Sequence, residues 1–333
     1  MATRADNSCL ICVDAGTTNT RVWLMRDDRI IARAAAMTGV RDTARDGSNE
    51  RLRATLRELI AEVRQRGAEA APDAVPSCVV AAGMITSPLG LAEVAHVEVP
   101  AGAGELAAGV RRFHFPGITD LPVLLVPGVR SGAPQSTVEA IGQSDVMRGE
   151  ETLCAGLMAS GRVQPPVTVL NSGSHWKAIY LDAEGRIAAS ITTLSGEMIH
   201  AVQTTTILAS AVPQMRPAII DPVWCEAGRR EQRRSGLSRA LFCVRLLQLQ
   251  GHGTPEERFA FLAGAFIAAD LDALRRQNAL QAERRVFITG GGALAQAWGD
   301  ALAEVSIPAS VLTVDEVEAA FLGGLRQIVR RLS

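Results

Sequence analysis

The sequence predicts an α/β fold made of two similar halves, and three observations predict it. Ile11 to Leu24 is a β-branched apolar run ending at Asp14, a small hydroxyl-rich loop, and a second apolar run. That order reads as strand, tight turn, strand. The pattern then returns at one constant offset: Asp14 answers to Asn171, Gly16 to Gly173, Thr17 to Ser174, Trp23 to Tyr180, Leu24 to Leu181, Arg29 to Arg186 and Ile30 to Ile187. Matched loops, charged turns and flanking apolar runs indicate an internal duplication whose halves face each other. Third, Val286 to Leu294 reads as strand, triple glycine, helix.

Taken in order, residues 9–36 form the first strand–loop–strand–turn–strand unit. Residues 48–67 are predicted helical, with Ser48 or Asn49 as N-cap, Leu52, Leu56, Leu59, Ile60 and Val63 at helical spacing, and Gly67 at the end. Val75 to Ala82 is a continuous apolar strand closed by the Gly/Pro-broken loop Gly83 to Gly90. Val123 to Val126 is another short strand, and Val129 to Ser144 a substrate-shaping loop. A helix starts at Gly149 to Thr152, because acidic residues favour a first turn.

Pro165-Pro166 marks the passage into the second half, and Val167 to Thr193 is its repeated unit. Leu194 to Met198 reads as a polar break before a helix. Residues 226–239 carry five arginines without interleaved aromatics, which reads as a solvated helix face. Thr254-Pro255-Glu256-Glu257 opens a long helix with an N-cap and proline at its first position. Residues 315–332 form a closing amphipathic helix.

Composition narrows the function classes. A net charge of −1 gives no bulk attraction to nucleic acid or to an anionic membrane. No run approaches the roughly 18 apolar residues of a spanning helix. Arg4 and Asp6 precede a strand directly, so no signal peptide is read and a cytoplasmic protein is expected. Cys9 and Cys12 have CxxC spacing, but no second pair exists, so buried free thiols are expected rather than a metal or redox site. No G-x-G-x-x-G follows a strand with an acidic residue at the right distance, which argues against a dehydrogenase.

The loops carry the chemistry. Gly16 lets backbone approach a ligand closely, and the N–H groups of Gly16, Thr17, Thr18 and Asn19 can point at anionic oxygens. Asp14, at the strand end, could hold Mg²⁺ directly or through water. In the second loop Gly173, Ser174, His175 and Lys177, the only lysine of the chain, offer further phosphate partners. Gly290, Gly291 and Gly292 leave bare backbone suited to an adenine or ribose. Between the loops lies Asp145-Val146-Met147-Arg148-Gly149-Glu150-Glu151-Thr152. One of its carboxylates could take a proton from a substrate hydroxyl, and Arg148 could bind an anion bidentately.

Together these motifs resemble the 2-dehydro-3-deoxygalactonokinase family, sugar-acid kinases of the sugar-kinase, Hsp70 and actin superfamily. The most specific piece is Asp145 to Thr152. Asp14 to Trp23, Ala82-Gly83-Met84, Gly173 to Lys177 and Ser195-Gly196-Glu197 are also similar to family patterns. This chain has Leu153 where the family usually has Gln, Ala15 and Ala178 where it usually has Trp, and Trp176 where it usually has a small residue.

The resemblance implies two ribonuclease-H-like, actin-like ATPase domains around a central nucleotide cleft. Residues 1–160 would carry the first phosphate motif and the sugar, and residues 161–333 the second phosphate motif and adenosine. The last helix would be able to pack back on the first domain. The cofactors implied are ATP and Mg²⁺, with transfer to the 6-hydroxyl of a 2-keto-3-deoxy sugar acid, in galactonate catabolism. Asp14 would lie near the metal; residues 16–19, 173–175, 177 and 290–292 would hold the nucleotide. Arg21, Gly83, Met84, Arg148 and Glu150 would face the sugar acid. Glu151 would be the base, with Glu150 or Asp145 as the fallback. A small-molecule substrate is expected, with neither nucleic acid nor membrane as partner; a homodimer is allowed for. The rival readings are a kinase for another sugar, a catalytically idle ATP-binding sensor, and an ATP-driven chaperone or filament protein.

Overall fold

The computed structural model describes residues 9–132 and 137–332. The N-terminal residues weighed for a targeting signal, Arg4 and Asp6, and positions 133–136 of the substrate-shaping loop lie outside them. The chain divides into two compact units: one runs to Val163 and resumes at Ala319, the other is Gln164–Glu318.

The first unit contains strands β1 (Cys9–Ala15), β2 (Thr20–Arg26) and β3 (Arg29–Ala36), helices α1 (Val40–Asp46) and α2 (Glu50–Ala70), then β4 (Pro76–Gly83) and β5 (Val97–Glu98). It continues with α3 (Ala103–Gly109), β6 (Arg111–Phe113), β7 (Val123–Leu125), β8 (Val129–Ser131), β9 (Asp145–Met147) and α4 (Glu150–Ala159). The main sheet has the order β3-β2-β1-β4-β7-β6, and β5, β8 and β9 form a small separate sheet. The β1–β2 and β2–β3 pairs are antiparallel, whereas β4 lies parallel to β1. Central strand β1 is almost wholly buried, because a strand covered on both faces must be apolar at every position. Its core joins Ile11, Val13, Val22 and Leu24 to Leu52, Leu56, Ile60 and Val63 of α2.

The second unit repeats this plan. It contains β10 (Val167–Ser172), β11 (Trp176–Leu181), β12 (Ile187–Thr193), α5 (Ser195–Thr205), α6 (Pro222–Ser235), α7 (Leu237–Leu249) and α8 (Pro255–Arg276). β13 (Val286–Thr289), α9 (Gly292–Glu304) and β14 (Ala309–Val311) follow; the last helix, α10 (Val314–Val329), begins in this unit and from Ala319 belongs to the first. The sheet order is β12-β11-β10-β13-β14. The duplication is therefore one of topology: two antiparallel hairpin pairs, then a parallel strand beside the first.

Register corrects the sequence alignment by one residue. Trp23 pairs with Cys12, and the residue facing the equivalent Val169 is Ile179, not Tyr180. Leu24 likewise matches Tyr180 rather than Leu181. The second loop is one residue shorter, and the offset recovers at β12. Other expectations also shift. Gly67 does not end α2; the helix runs to Ala70, and a Cβ at Gly67 would strike Leu24 Cδ2. Leu194 to Met198 is no break, since α5 begins at Ser195. Part of the expected loop after Val129 is strand β8. The arginine-rich stretch is two helices parted at Gly236, and its Arg229 is buried against Glu304. All six cysteines are free thiols. No described helix is long and apolar enough to cross a membrane.

Candidate active site

In the first unit Asp14 is the penultimate residue of β1, level with Ala82 of β4 and Arg21 of β2. Arg21 Nη1 lies 3.7 Å from Asp14 Oδ2, with 27% of the Asp14 side chain accessible. Burial pushes the Asp14 carboxyl up to about 6; Arg21 pulls it back and Glu150 adds to the rise. Asp14 and Glu150 are thus in electrostatic reach of each other.

Two glycines make this packing close. Gly83 has φ +93°, and a Cβ there would lie 2.8 Å from the Ala15 carbonyl oxygen and 3.4 Å from Asp14 Oδ1. Gly149 has φ +114°, and its Cβ would lie 3.5 Å from Gly83 Cα. Gly149 N–H donates to both Glu151 oxygens, at 2.8 and 2.7 Å, and Thr152 Oγ1 to one of them at 3.3 Å. Glu151 is 1% exposed. A carboxylate at the first turn of α4 also gains from the helix dipole. Asp14, Gly83, Gly149, Glu150 and Glu151 therefore form one group.

Helix α4 is fixed from behind by contacts that sequence reasoning missed. A Cβ at Gly156 would strike the Ala320 carbonyl, and one at Gly324 the Thr152 carbonyl, so α4 and α10 touch backbone to backbone. Paired small residues on facing helices were the available signal. Arg148 is more committed than expected: Nη1 donates to Thr86 Oγ1 at 2.7 Å and Nη2 to the Val94 carbonyl at 2.9 Å. Met84 is half-buried in the short 3₁₀ turn after Gly83, and its carbonyl accepts from Ser87. Asp145 lies on β9, paired with Ser131 of β8.

The first loop is braced by α1. Gly16 N–H donates to the Asn19 carbonyl at 2.9 Å, so that amide closes the turn instead of facing outward as expected. Val40 and Arg41 N–H groups bond the Gly16 and Thr17 carbonyls. Thr18 Oγ1 accepts from Asn19 Nδ2 at 3.3 Å. Gly39, which the sequence reading missed, allows this approach, since its Cβ would come 2.5 Å from Thr17 O.

The second unit mirrors the arrangement. A Cβ at Gly196 would strike the Gly173 carbonyl and lie 2.6 Å from that of Ser174. His175 Nε2 sits 3.0 Å from Glu197 Oε2. Lys177 is 4% exposed on β11, level with Asn171, as Arg21 is level with Asp14. Ser172 Oγ donates to the Thr289 carbonyl at 2.9 Å and Thr289 Oγ1 to Asn171 Oδ1 at 3.4 Å. Gly290, Gly291 and Gly292 all have positive φ (104°, 69° and 70°), and Gly291 caps α9. Trp176, where the family usually has a small residue, packs edge-on against Trp298 of α9, centroids 5.3 Å apart.

The donor set fits the expected groups. Mg²⁺ takes one or two carboxylates and completes its shell with phosphate and water. Asp14, with a carboxyl pushed up to about 6 beside Glu150, suits that partial role. Among the described residues no cluster of three or more His, Cys, Asp or Glu is placed to hold a metal alone. The glycine-bared turns at 173 and 290–292 offer backbone to a nucleotide.

Duplicated hairpin-plus-parallel-strand sheets with hydroxyl loops at their strand ends define the actin-like ATPase and sugar-kinase class of folds. A protein from Sinorhizobium meliloti assigned as a 2-dehydro-3-deoxygalactonokinase superimposes with a TM-score of 0.75 at 23% identity, covering 96% of each chain. The Acidaminococcus fermentans (R)-2-hydroxyglutaryl-CoA dehydratase component A gives a TM-score of 0.52 at 15% identity, over 98% of this chain and all of that one. Residues 14–328 match the 2-keto-3-deoxy-galactonokinase family, and the chain belongs to that family. The 2-dehydro-3-deoxygalactonokinase of Escherichia coli (strain K12) is 25% identical over 324 residues, 97% of this chain and 98% of that one. The protein is accordingly a kinase, a phosphotransferase with an alcohol acceptor on a small-molecule substrate.

Proposed function

We propose that the chain transfers the γ-phosphoryl group of ATP to the 6-hydroxyl of 2-dehydro-3-deoxy-D-galactonate, yielding the 6-phosphate and ADP. The observation that carries this reading is the grouping of Asp14, Glu150 and Glu151 at one strand end of a duplicated phosphate-loop frame. Family membership supplies the substrate class.

In this reading Thr17, Thr18, Asn19 and the amides beyond Gly16 contact phosphate. In the second unit Gly173, Ser174, His175 and Lys177 offer phosphate contacts, and Gly290 to Gly292 offer backbone to adenosine. Asp14 would hold Mg²⁺, which when bound would neutralise phosphate charge. Arg21, Gly83, Met84, Arg148 and Glu150 orient the sugar acid.

Glu151 takes the proton of the attacking hydroxyl as the new O–P bond forms and the bond to the bridging oxygen of ADP breaks. Gly149 N–H holds the carboxylate in place, so Glu151 loses little freedom on reaction. Its burial limits the access of bulk water to the carboxylate itself. A shielded, preset base is the residues' own contribution.

The test is ADP release measured against a panel of hexoses, hexonates and 2-keto-3-deoxy acids, with product mass confirmed. The expected result is turnover on 2-dehydro-3-deoxy-D-galactonate at least tenfold above every other member. Turnover led by another sugar would reassign the substrate. Tight MgATP binding with no product on any member would make the protein a sensor.

A further inference from the structure

The segment between the 3₁₀ turn at Ile207–Ser210 and helix α6 is strapped along α5 at two points. Gln203, buried on α5, donates from Nε2 to the Pro213 carbonyl at 2.7 Å. Arg216 Nη2 donates to the Gly196 carbonyl at 2.8 Å. Gly196 is the residue packed directly on the Gly173 and Ser174 carbonyls. The strap therefore sets a guanidinium beside the second phosphate-type loop.

Its anchor is held firmly. Asp270 of α8, 8% exposed, accepts from Thr193 Oγ1 at 2.5 Å and also bonds Ser195, so both ends of the β12–α5 junction are pinned. Arg216 itself has no acidic partner among the described residues. Its side chain is exposed, so the guanidinium is open to a ligand, and partial burial lowers its affinity for a proton. A planar cation with spare N–H donors and no counter-ion is the group that phosphate oxygens satisfy best.

We propose that Arg216 is a further phosphate-binding residue, which donates to the polyphosphate of the nucleotide held at residues 173–175. The inference rests on the ATP reading above. It adds a contact from a segment outside every motif singled out in the sequence.

The test compares wild type, R216K and R216Q by calorimetric titration with MgATP, MgADP and adenosine, together with steady-state kinetics and thermal melts. A charge-assisted phosphate contact predicts that R216Q weakens MgATP roughly tenfold or more. R216K should recover part of that loss, and adenosine affinity and the melting temperature should stay within error. Equal weakening of adenosine and MgATP would overturn the proposal, as would wild-type MgATP affinity in a folded R216Q. If R216Q does not fold, R216K decides: unchanged MgATP affinity there, with an unchanged melt, also overturns it. Wild type that binds no MgATP would sink the ATP reading itself, a result distinct from any Arg216 outcome.

Discussion

The two halves share a frame and differ in charge. Each has a central strand, an antiparallel hairpin partner, a parallel strand ending in a positive-φ glycine, and a second glycine that lets the following helix brace the loop. In the first half the strand's penultimate residue is Asp14, paired with Arg21, with Glu150 near by. In the second it is Asn171, paired with Lys177 and bonded by Thr289. Level with each other on the paired strands, one half has a carboxylate and a guanidinium, the other an amide and an ammonium. The difference teaches that duplication supplied the geometry while single side chains divided the labour. In the proposed reading the acidic half would serve a cation and a proton, and the other anionic oxygens.

That division can be broken by exchanging its residues. Asp14→Asn makes the first half resemble the second, and kcat/KM should fall about 10²–10³-fold as metal-dependent stabilisation is lost. The same change bears on stability. The unfolded Asp14 ionises near its ordinary value, whereas in the fold it holds its proton up to about 6. Stability therefore falls as pH rises between those values and stays lowered above them. Urea titration at pH 8 should find D14N more stable by about 2 kcal/mol, an advantage absent at pH 3.5. The reciprocal change, Asn171→Asp, puts a carboxylate among phosphate partners and should weaken MgATP about tenfold by titration, with a smaller effect on kcat.

A control away from both loops sharpens the comparison. Gly67→Ala forces a methyl against Leu24 inside the first core. It should cost about 1–2 kcal/mol in a denaturant titration and leave the KM for nucleotide unchanged.

Much of this was legible in the sequence, and what was not has physical causes. The hairpins, the triple glycine and the capping box of α8, with Thr254 accepting from Glu257 N–H, follow from local spacing and turn chemistry. Helix α1 was missed because Val40 to Asp46 is short and polar, with no apolar period to betray it. The one-residue register shift was invisible because a shorter loop and a compensating turn cancel over the repeat. Gly39, Gly67, Gly156 and Gly324 matter through what lies opposite them, which no single stretch records. Arg148 carries the residue type of a substrate ligand, yet two of its donors brace Thr86 and Val94. Arg216 escaped notice because it belongs to no motif.

In the proposed mechanism Glu151 readies an alcohol for phosphorylation without holding the nucleotide. Single-turnover formation of phosphorylated sugar acid, measured alongside MgATP affinity in the same samples of wild type and E151Q, tests it most directly. Product formation in E151Q should slow by about 10²–10⁴-fold while the dissociation constant for MgATP stays within twofold. Near-normal phosphoryl transfer in E151Q would contradict it.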